Sequence, residues 1–196
     1  MTAMEFEKLN EARTHWCDGN DAEAVGCYGV VAAENPENPE AKFFMCYMDW
    51  LEDMKEPSER KTAVIKLINS LENAVNYVAA ADCTKTEKLA VIKGIVDLYT
   101  PVPGYAINLR ISPIGETIET GVLSLYWLGS YIKDGFKNDS DAMKLAIIPW
   151  KEGVKLQQQW YSYKYEGNKA EDYVAEIQKV DPAYTMPKKA GCISLG

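Results

Sequence analysis

The chain has 196 residues, 47% of them hydrophobic and 26% charged, with 21 Lys and Arg against 29 Asp and Glu for a net charge of −8. A chain of this length buries roughly 70% of the surface it exposes when unfolded, which fits one ordinary soluble domain without disulfide or metal staples. Its acid excess repels a phosphate backbone and argues against nucleic acid as a partner.

The charge is uneven. Residues 1–60 hold 14 acidic and 5 basic side chains, so the N-terminal third carries the acidity and the remainder is near neutral. The five cysteines, Cys17, Cys27, Cys46, Cys83 and Cys192, are odd in number and contain no Cys-x-x-Cys pair. That pattern suits neither a disulfide framework nor a zinc ribbon. Free thiols of this kind are expected to act as small buried hydrophobes in a reducing, cytoplasmic setting. The start, MTAMEFEKLNEAR, lacks the basic-then-apolar order of a signal peptide. The longest apolar run, Gly121 to Ile132, lies between Glu119 and Lys133 and is too short for a membrane span, so no membrane association is expected.

In chain order, the first helix is predicted over about 3–17, where Phe6, Leu9, Ala12, Arg13 and Trp16 recur at helical spacing. Asp18-Gly19-Asn20-Asp21 ends it, with Gly19 suited to a left-handed backbone and Asn20 or Asp21 able to cap the next helix. That second helix, about 21–33, carries Ala24, Val25, Tyr28 and Val31 and stops before Asn35-Pro36. Pro39 suits the first turn of a third helix running to about Asp53, with Phe43, Phe44, Tyr47, Met48, Trp50 and Leu51.

Residues 5–53 resemble a tetratricopeptide repeat, a 34-residue pair of antiparallel helices. With Gly19 in the repeat's glycine position, Ala12 and Ala24 stand at its small positions, Tyr28 at an aromatic one and Pro36 at its closing proline. His15 stands where an aromatic is usual, Val31 replaces a small residue and Lys8 an aromatic, and the register fades after one and a half repeats. The resemblance implies a groove lined by the first helix of each hairpin. In this chain that groove would carry Phe6, Leu9, Arg13 and Trp16 from one unit and Phe43, Tyr47 and Trp50 from the next. Repeats that grip a peptide's terminal carboxylate use Lys and Asn there. Leu9, Arg13, Phe43 and Tyr47 occupy those places, so no carboxylate clamp is implied.

Beyond Lys55-Glu56-Pro57-Ser58 the repeat markers are lost. A long helix is predicted over about 58–80, and a capping box at Thr84-Lys85-Thr86-Glu87 opens another to about Tyr99. Pro101, Pro103 and Gly104 break helix, and Tyr105 to Ile111 alternates as an extended connection would. Helices follow at about 114–135, at 140–166 with Pro149 forcing a kink or break, and at 169–179. Residues 181–196 read as a mobile tail. Its Pro187-Lys188-Lys189-Ala190-Gly191-Cys192 stretch is faintly similar to linkers in uncharacterised bacterial multidomain proteins.

The glycines inside helical patterns, Gly26, Gly29, Gly94, Gly121, Gly129 and Gly153, point to close helix crossings. His15 is the lone histidine and is read as packing, since Ser–His or Cys–His chemistry needs an adjacent nucleophile and an orienting group. Glu116 and Glu119 read as a solvated helix start. Neither a phosphate-binding glycine loop nor a cluster of metal-ligand spacing is present, so no cofactor and no metal is expected. Trp160, Tyr161, Tyr163 and Tyr165 cannot all share one helix face, which leaves an oligomer contact open.

The sequence thus predicts an all-α array of seven to eight helices: a repeat-like part over 1–55, a divergent helical part over 56–180 and a tail. The expected function is non-catalytic: a protein-interaction or scaffolding module that holds a peptide or helix in the aromatic groove, its acidic flanks favouring basic partners. The alternatives are a carboxylate- or metal-dependent enzyme with a cleft between the two helical parts, and a structural homo-oligomer.

Overall fold

The computed structural model describes residues 2–53, 55–108, 114–159 and 169–188, and of 114–118 the backbone alone. The protein is all-α. Among the described residues eight helices of eleven residues or more, and one shorter helix, follow one another with no strand. They are α1 (Ala3–Asp18), α2 (Asp21–Glu34), α3 (Pro39–Asp53), α4 (Arg60–Ala80), α5 (Lys85–Tyr99), α6 (Pro101–Asn108), α7 (Ile114–Gly135), α8 (Ser140–Gln159) and α9 (Ala170–Val180).

The helix ends follow from local chemistry. Thr2 and Glu5 form a reciprocal capping box at the start of α1, and Thr84 and Glu87 form another at α5. Gly19 ends α1 with φ 75°, a left-handed conformation that glycine adopts without a Cβ penalty. Asn20 sits at the start of α2 but makes no side-chain cap bond.

The helices pair into hairpins α1–α2, α3–α4 and α7–α8, and α2 also packs on α3. The array then folds back on itself, with α5 lying along α1 and touching α3 and α4. Helix α7 packs on α4 and α6, and α9 packs on α8. One continuous apolar core runs through these layers from Leu9 in α1 to Ile177 in α9.

The α7–α8 crossing depends on two missing side chains. A Cβ at Gly129 would stand 2.3 Å from Trp150 Nε1 and 2.7 Å from the Ala146 carbonyl oxygen, and one at Gly153 would stand 2.6 Å from Tyr126 Cε1. Helices α7 and α8 therefore meet almost backbone to backbone. Across that hairpin the Trp150 indole N–H donates to the Tyr126 carbonyl at 3.0 Å. Gly94 and Gly121 likewise face Trp16 and Pro103 at 3.1 and 3.2 Å. Gly26 and Gly29 differ from the expectation: they face open space, so no crossing requires them.

Other expectations are corrected. Pro101 to Asn108 forms helix α6 where an extended connection was expected from Tyr105 onward. Pro101 and Pro103 fall in its first turn, where a missing N–H breaks no helical bond; residues 109–111 lie outside the described ones. Helix α8 continues through Pro149, with no break there. The first part of the expected tail is held in place. Lys151 pairs with Asp181 at 2.8 Å and lies 5.2 Å from the Tyr184 ring centroid, and Gln158 donates to the Met186 sulfur. Tyr184 and Met186 add apolar surface to the core, which explains why this stretch packs. Cys17 is exposed, and Cys27, Cys46 and Cys83 are only half-buried, not core residues as expected. The cluster Trp160, Tyr161, Tyr163 and Tyr165, and Cys192, lie outside the described residues.

Candidate functional site

The seven residues drawn into a groove by the repeat register separate into three environments. Trp16 and Phe43 belong to a ring stack centred on Phe44: Tyr28 stacks on Phe44 at 4.1 Å between centroids, Phe43 meets it edge-on at 5.2 Å and Trp16 tilts onto it at 5.3 Å. Helix α5 covers this stack, with Gly94 against the Trp16 ring. Phe43, Phe44 and Tyr28 are wholly buried and Trp16 is half-buried.

Phe6, Leu9 and Arg13 meet elsewhere, around a small cavity of about 170 Å³ closed by Tyr77, Ala80, Ala81 and Asp82 of α4 and the residues after it. Leu9 and Arg13 are buried, and only Phe6 is exposed. Arg13 faces inward because Glu40, on the first turn of α3, offers both carboxylate oxygens. Arg13 Nε donates to Glu40 Oε1 at 3.2 Å and its terminal nitrogen to Oε2 at 2.7 Å, and the Tyr28 hydroxyl donates to Oε1 at 2.7 Å. Burial works against the guanidinium charge, but Glu40 outweighs it and keeps Arg13 protonated.

Nearby, Glu5 accepts from Asn35 and Asn38 at 3.0 Å each and from the Thr2 amide at 3.2 Å. Burial pushes the Glu5 carboxyl up, yet these bonds together bring it below its usual range. Asn38 Oδ1 accepts from the Ala41 amide at 3.0 Å. The two carboxylates thus tie the start of α1, the α2–α3 loop and α3 together. The sequence reading missed this polar cluster. The one signal it offered was an arginine within an apolar stripe, which calls for a buried partner.

The third environment is open. Tyr47 meets Trp50 at 5.6 Å, and Trp50 meets Tyr105 of α6 edge-on at 6.0 Å. Trp50 is buried, Tyr47 half-buried and Tyr105 is 52% exposed. Along α3 the stripe Phe44, Met48, Leu51, spaced i, i+4, i+7, passes from 0% to 44% and 43% exposure. One apolar face of a single helix is therefore sealed at its first half and uncovered at its second. The Trp50 indole N–H below it has no acceptor among the described groups.

Carboxylates are dense in the same stretch of chain, Asp49 and Asp53 on the far side of α3 with Cys46, and Glu52 next to Met48 around the helix. Between Asp49 and Glu59 stand five acidic residues and one base, Lys55. Lys55 pairs with Glu52 at 2.5 Å, while Asp49, Glu56 and Glu59 are exposed and Asp53 is half-exposed. On the opposite side of α3, a cavity of about 380 Å³ opens toward α4, lined in part by Lys42, Cys46, Lys66, Asn69 and Asn73. Burial pushes the Cys46 thiol up, away from the reactive thiolate form. Among the described residues no three His, Cys, Asp or Glu side chains gather as metal ligands, and no helix is long and apolar enough to cross a membrane.

These features define an all-α helical array with a sealed aromatic core and an apolar stripe of α3 left open at its second half. No protein-family model, curated protein or solved structure matches the chain.

Proposed function

We propose that the protein is an interaction or scaffolding module that docks a segment of a partner protein on the open half of α3. The observation carrying this reading is the stripe Phe44, Met48, Leu51, which is core at one end and uncovered at the other. Tyr47 and Tyr105 widen the face, and aromatic side chains are common interface anchors. The buried carboxylates Glu5 and Glu40 are bonded to Asn, Arg and Tyr side chains, an arrangement suited to holding helices together. The groove as first drawn narrows accordingly: Tyr47 and the edge of Trp50 belong to the docking face, while Leu9, Arg13 and Phe43 serve the core.

The face alone gives weak binding. Fully burying a large apolar side chain is worth about 1.5–3 kcal/mol. Met48, Leu51, Tyr47 and Tyr105 are each already partly covered, so docking adds about 1 kcal/mol apiece, or about 4 in all. A micromolar complex needs about 8 kcal/mol. Flanking contacts must contribute the rest.

The test is the double variant Met48→Ser with Leu51→Ser, compared with Trp16→Ala. The double variant keeps the melting temperature and loses a partner recovered with the unaltered protein. Trp16→Ala melts lower because it hollows the ring stack. A double variant that unfolds, or that retains the partner, contradicts the reading.

A further inference from the structure

We propose that the cleft between α3 and α4 binds a small organic carboxylate with an apolar body, and that Lys66, Asn69 and Asn73 hold its anionic end. The cleft lies on the other side of α3 from the Phe44, Met48, Leu51 stripe, so the proposal goes beyond the docking reading and stands or falls apart from it.

The cleft is built from two polar arcs. At about 3.6 residues per turn, Lys66, Asn69, Ser70 and Asn73 share about a third of the circumference of α4, beside the face that Leu67, Leu71 and Ala74 bury. Pro39, Lys42 and Cys46 form the facing arc of α3, and with Glu37 they enclose about 380 Å³, a volume suited to a small ligand. Ser70 is buried, and Pro39 and Cys46 are half-buried, so these three make the floor. The Ser70 hydroxyl donates to the Leu67 carbonyl at 2.7 Å, which turns its polar end back to its own helix and leaves the floor weakly polar. The charged and amide side chains are exposed and form the rim.

The rim chooses the ligand. Glu37 takes up Lys42 at 2.8 Å. Among the described residues, Lys66, Asn69 and Asn73 have no hydrogen-bond or ion-pair partner. The rim therefore offers one uncommitted ammonium and two amides, each with N–H groups to donate, and a carboxylate accepts from such donors in short, charge-assisted bonds. Burial and then Asp49 raise the Cys46 thiol, while Lys42 and Lys66 act against them, so both ammonium charges are felt at the floor. Asp49 stands outside the lining, one turn beyond Cys46, and opposes an anion in part. Inorganic phosphate would bring two charges to one uncommitted ammonium and leave the floor uncovered. A carboxylate with an apolar body satisfies the rim and covers Pro39 and Cys46.

The experiment alkylates the purified full chain with N-ethylmaleimide and follows Cys46 and Cys17 by peptide mass spectrometry. Side-chain amide NMR signals of Asn69 and Asn73 give a second readout. Phenylacetate, isovalerate, phenylacetamide and inorganic phosphate are added in turn up to about 10 mM, a concentration suited to ligands of roughly ten heavy atoms or fewer. Phenylacetate or isovalerate is expected to slow Cys46 alkylation at least about threefold, which corresponds to a dissociation constant of about 5 mM or tighter, and to shift both amides. Cys17, exposed at the end of α1, should react as before. Phenylacetamide, with the same body and no charge, should protect less, and so should phosphate. Lys66→Gln should remove the advantage of phenylacetate over phenylacetamide, and Asp49→Asn should increase it. Lys137→Gln removes the same charge as Lys66→Gln at an exposed site in the α7–α8 turn and should leave it.

Neither protection nor an amide shift with the two carboxylates overturns the proposal. Equal protection by phenylacetamide shows an apolar cleft indifferent to the carboxylate, and equal protection by phosphate shows a simple anion site; each overturns it. Protection that survives Lys66→Gln, or that falls equally in Lys137→Gln, removes the assignment of the anion to Lys66 and overturns it as well. All of these outcomes leave the docking stripe on the other side of α3 as it stands.

Discussion

Arg13 and Glu40 show why a buried charge in this protein belongs to architecture. Each is nearly sealed from water: Arg13 donates to both Glu40 oxygens, and Glu40 also accepts from the Tyr28 hydroxyl. Removing one partner leaves the other buried and uncompensated, at a cost of about 3–5 kcal/mol. Glu40→Gln is therefore expected to lower the urea midpoint strongly, whereas Tyr28→Phe, which leaves the ion pair intact, costs about 1 kcal/mol. Equilibrium unfolding of the two variants checks the order. Glu5 adds a pH dependence of definite sign. Its folded-state carboxyl sits below the usual 4.5, so its contribution is present above that value and is lost as pH falls through the lowered one. Glu5→Gln should flatten the acid limb of the stability–pH curve, read from urea midpoints between neutral pH and the acid transition. An unchanged limb contradicts the assignment.

The helical glycines separate by what they touch. Gly129 has no room for a methyl group, so Gly129→Ala should overpack the α7–α8 hairpin and cost about 1–3 kcal/mol or more. Gly29 faces open space inside α2, so Gly29→Ala should stabilise by up to about 1 kcal/mol. Thermal melts of the two variants should move in opposite directions. From sequence alone the two positions look identical: each is a glycine in a helical pattern, and the difference lies in another helix. The same limit explains which helices were legible. Helices α1 to α5 carry their stops locally, in Gly19, Asn35-Pro36 and the Thr84–Glu87 box, and their predicted bounds fall within two residues of those observed. Helix α6 was missed because Pro101 and Pro103 read as breakers, although at a first turn proline is tolerated. The candidate site was legible only in part. The apolar stripe on α3 is visible in the spacing of Phe44, Met48 and Leu51, but which of them stays open depends on helices distant in sequence.

At the scale of the whole molecule, the return of α5 onto α1 is the decisive feature. A regular helical-hairpin stack leaves its first helices facing a shared concavity. Here α5 occupies that space against Trp16, and α6 brings Tyr105 to the edge of Trp50. Trp16 and the first half of α3 are drawn against the core while Phe6 stays exposed, and the second half of α3 reaches past that cover into water. The open apolar stripe of α3 therefore lies outside the groove that the repeat register implied.

The most direct measurement is site-specific photo-crosslinking in cells, with a photoreactive residue at Met48 and, as a control, at Val30, whose exposure of 40% on α2 is similar to that of Met48. Adducts to a discrete partner at position 48, absent at position 30 and lost when Leu51 is also changed to Ser, are the predicted result. Equal labelling at the two positions, or adducts at 48 that persist without Leu51, would contradict the account.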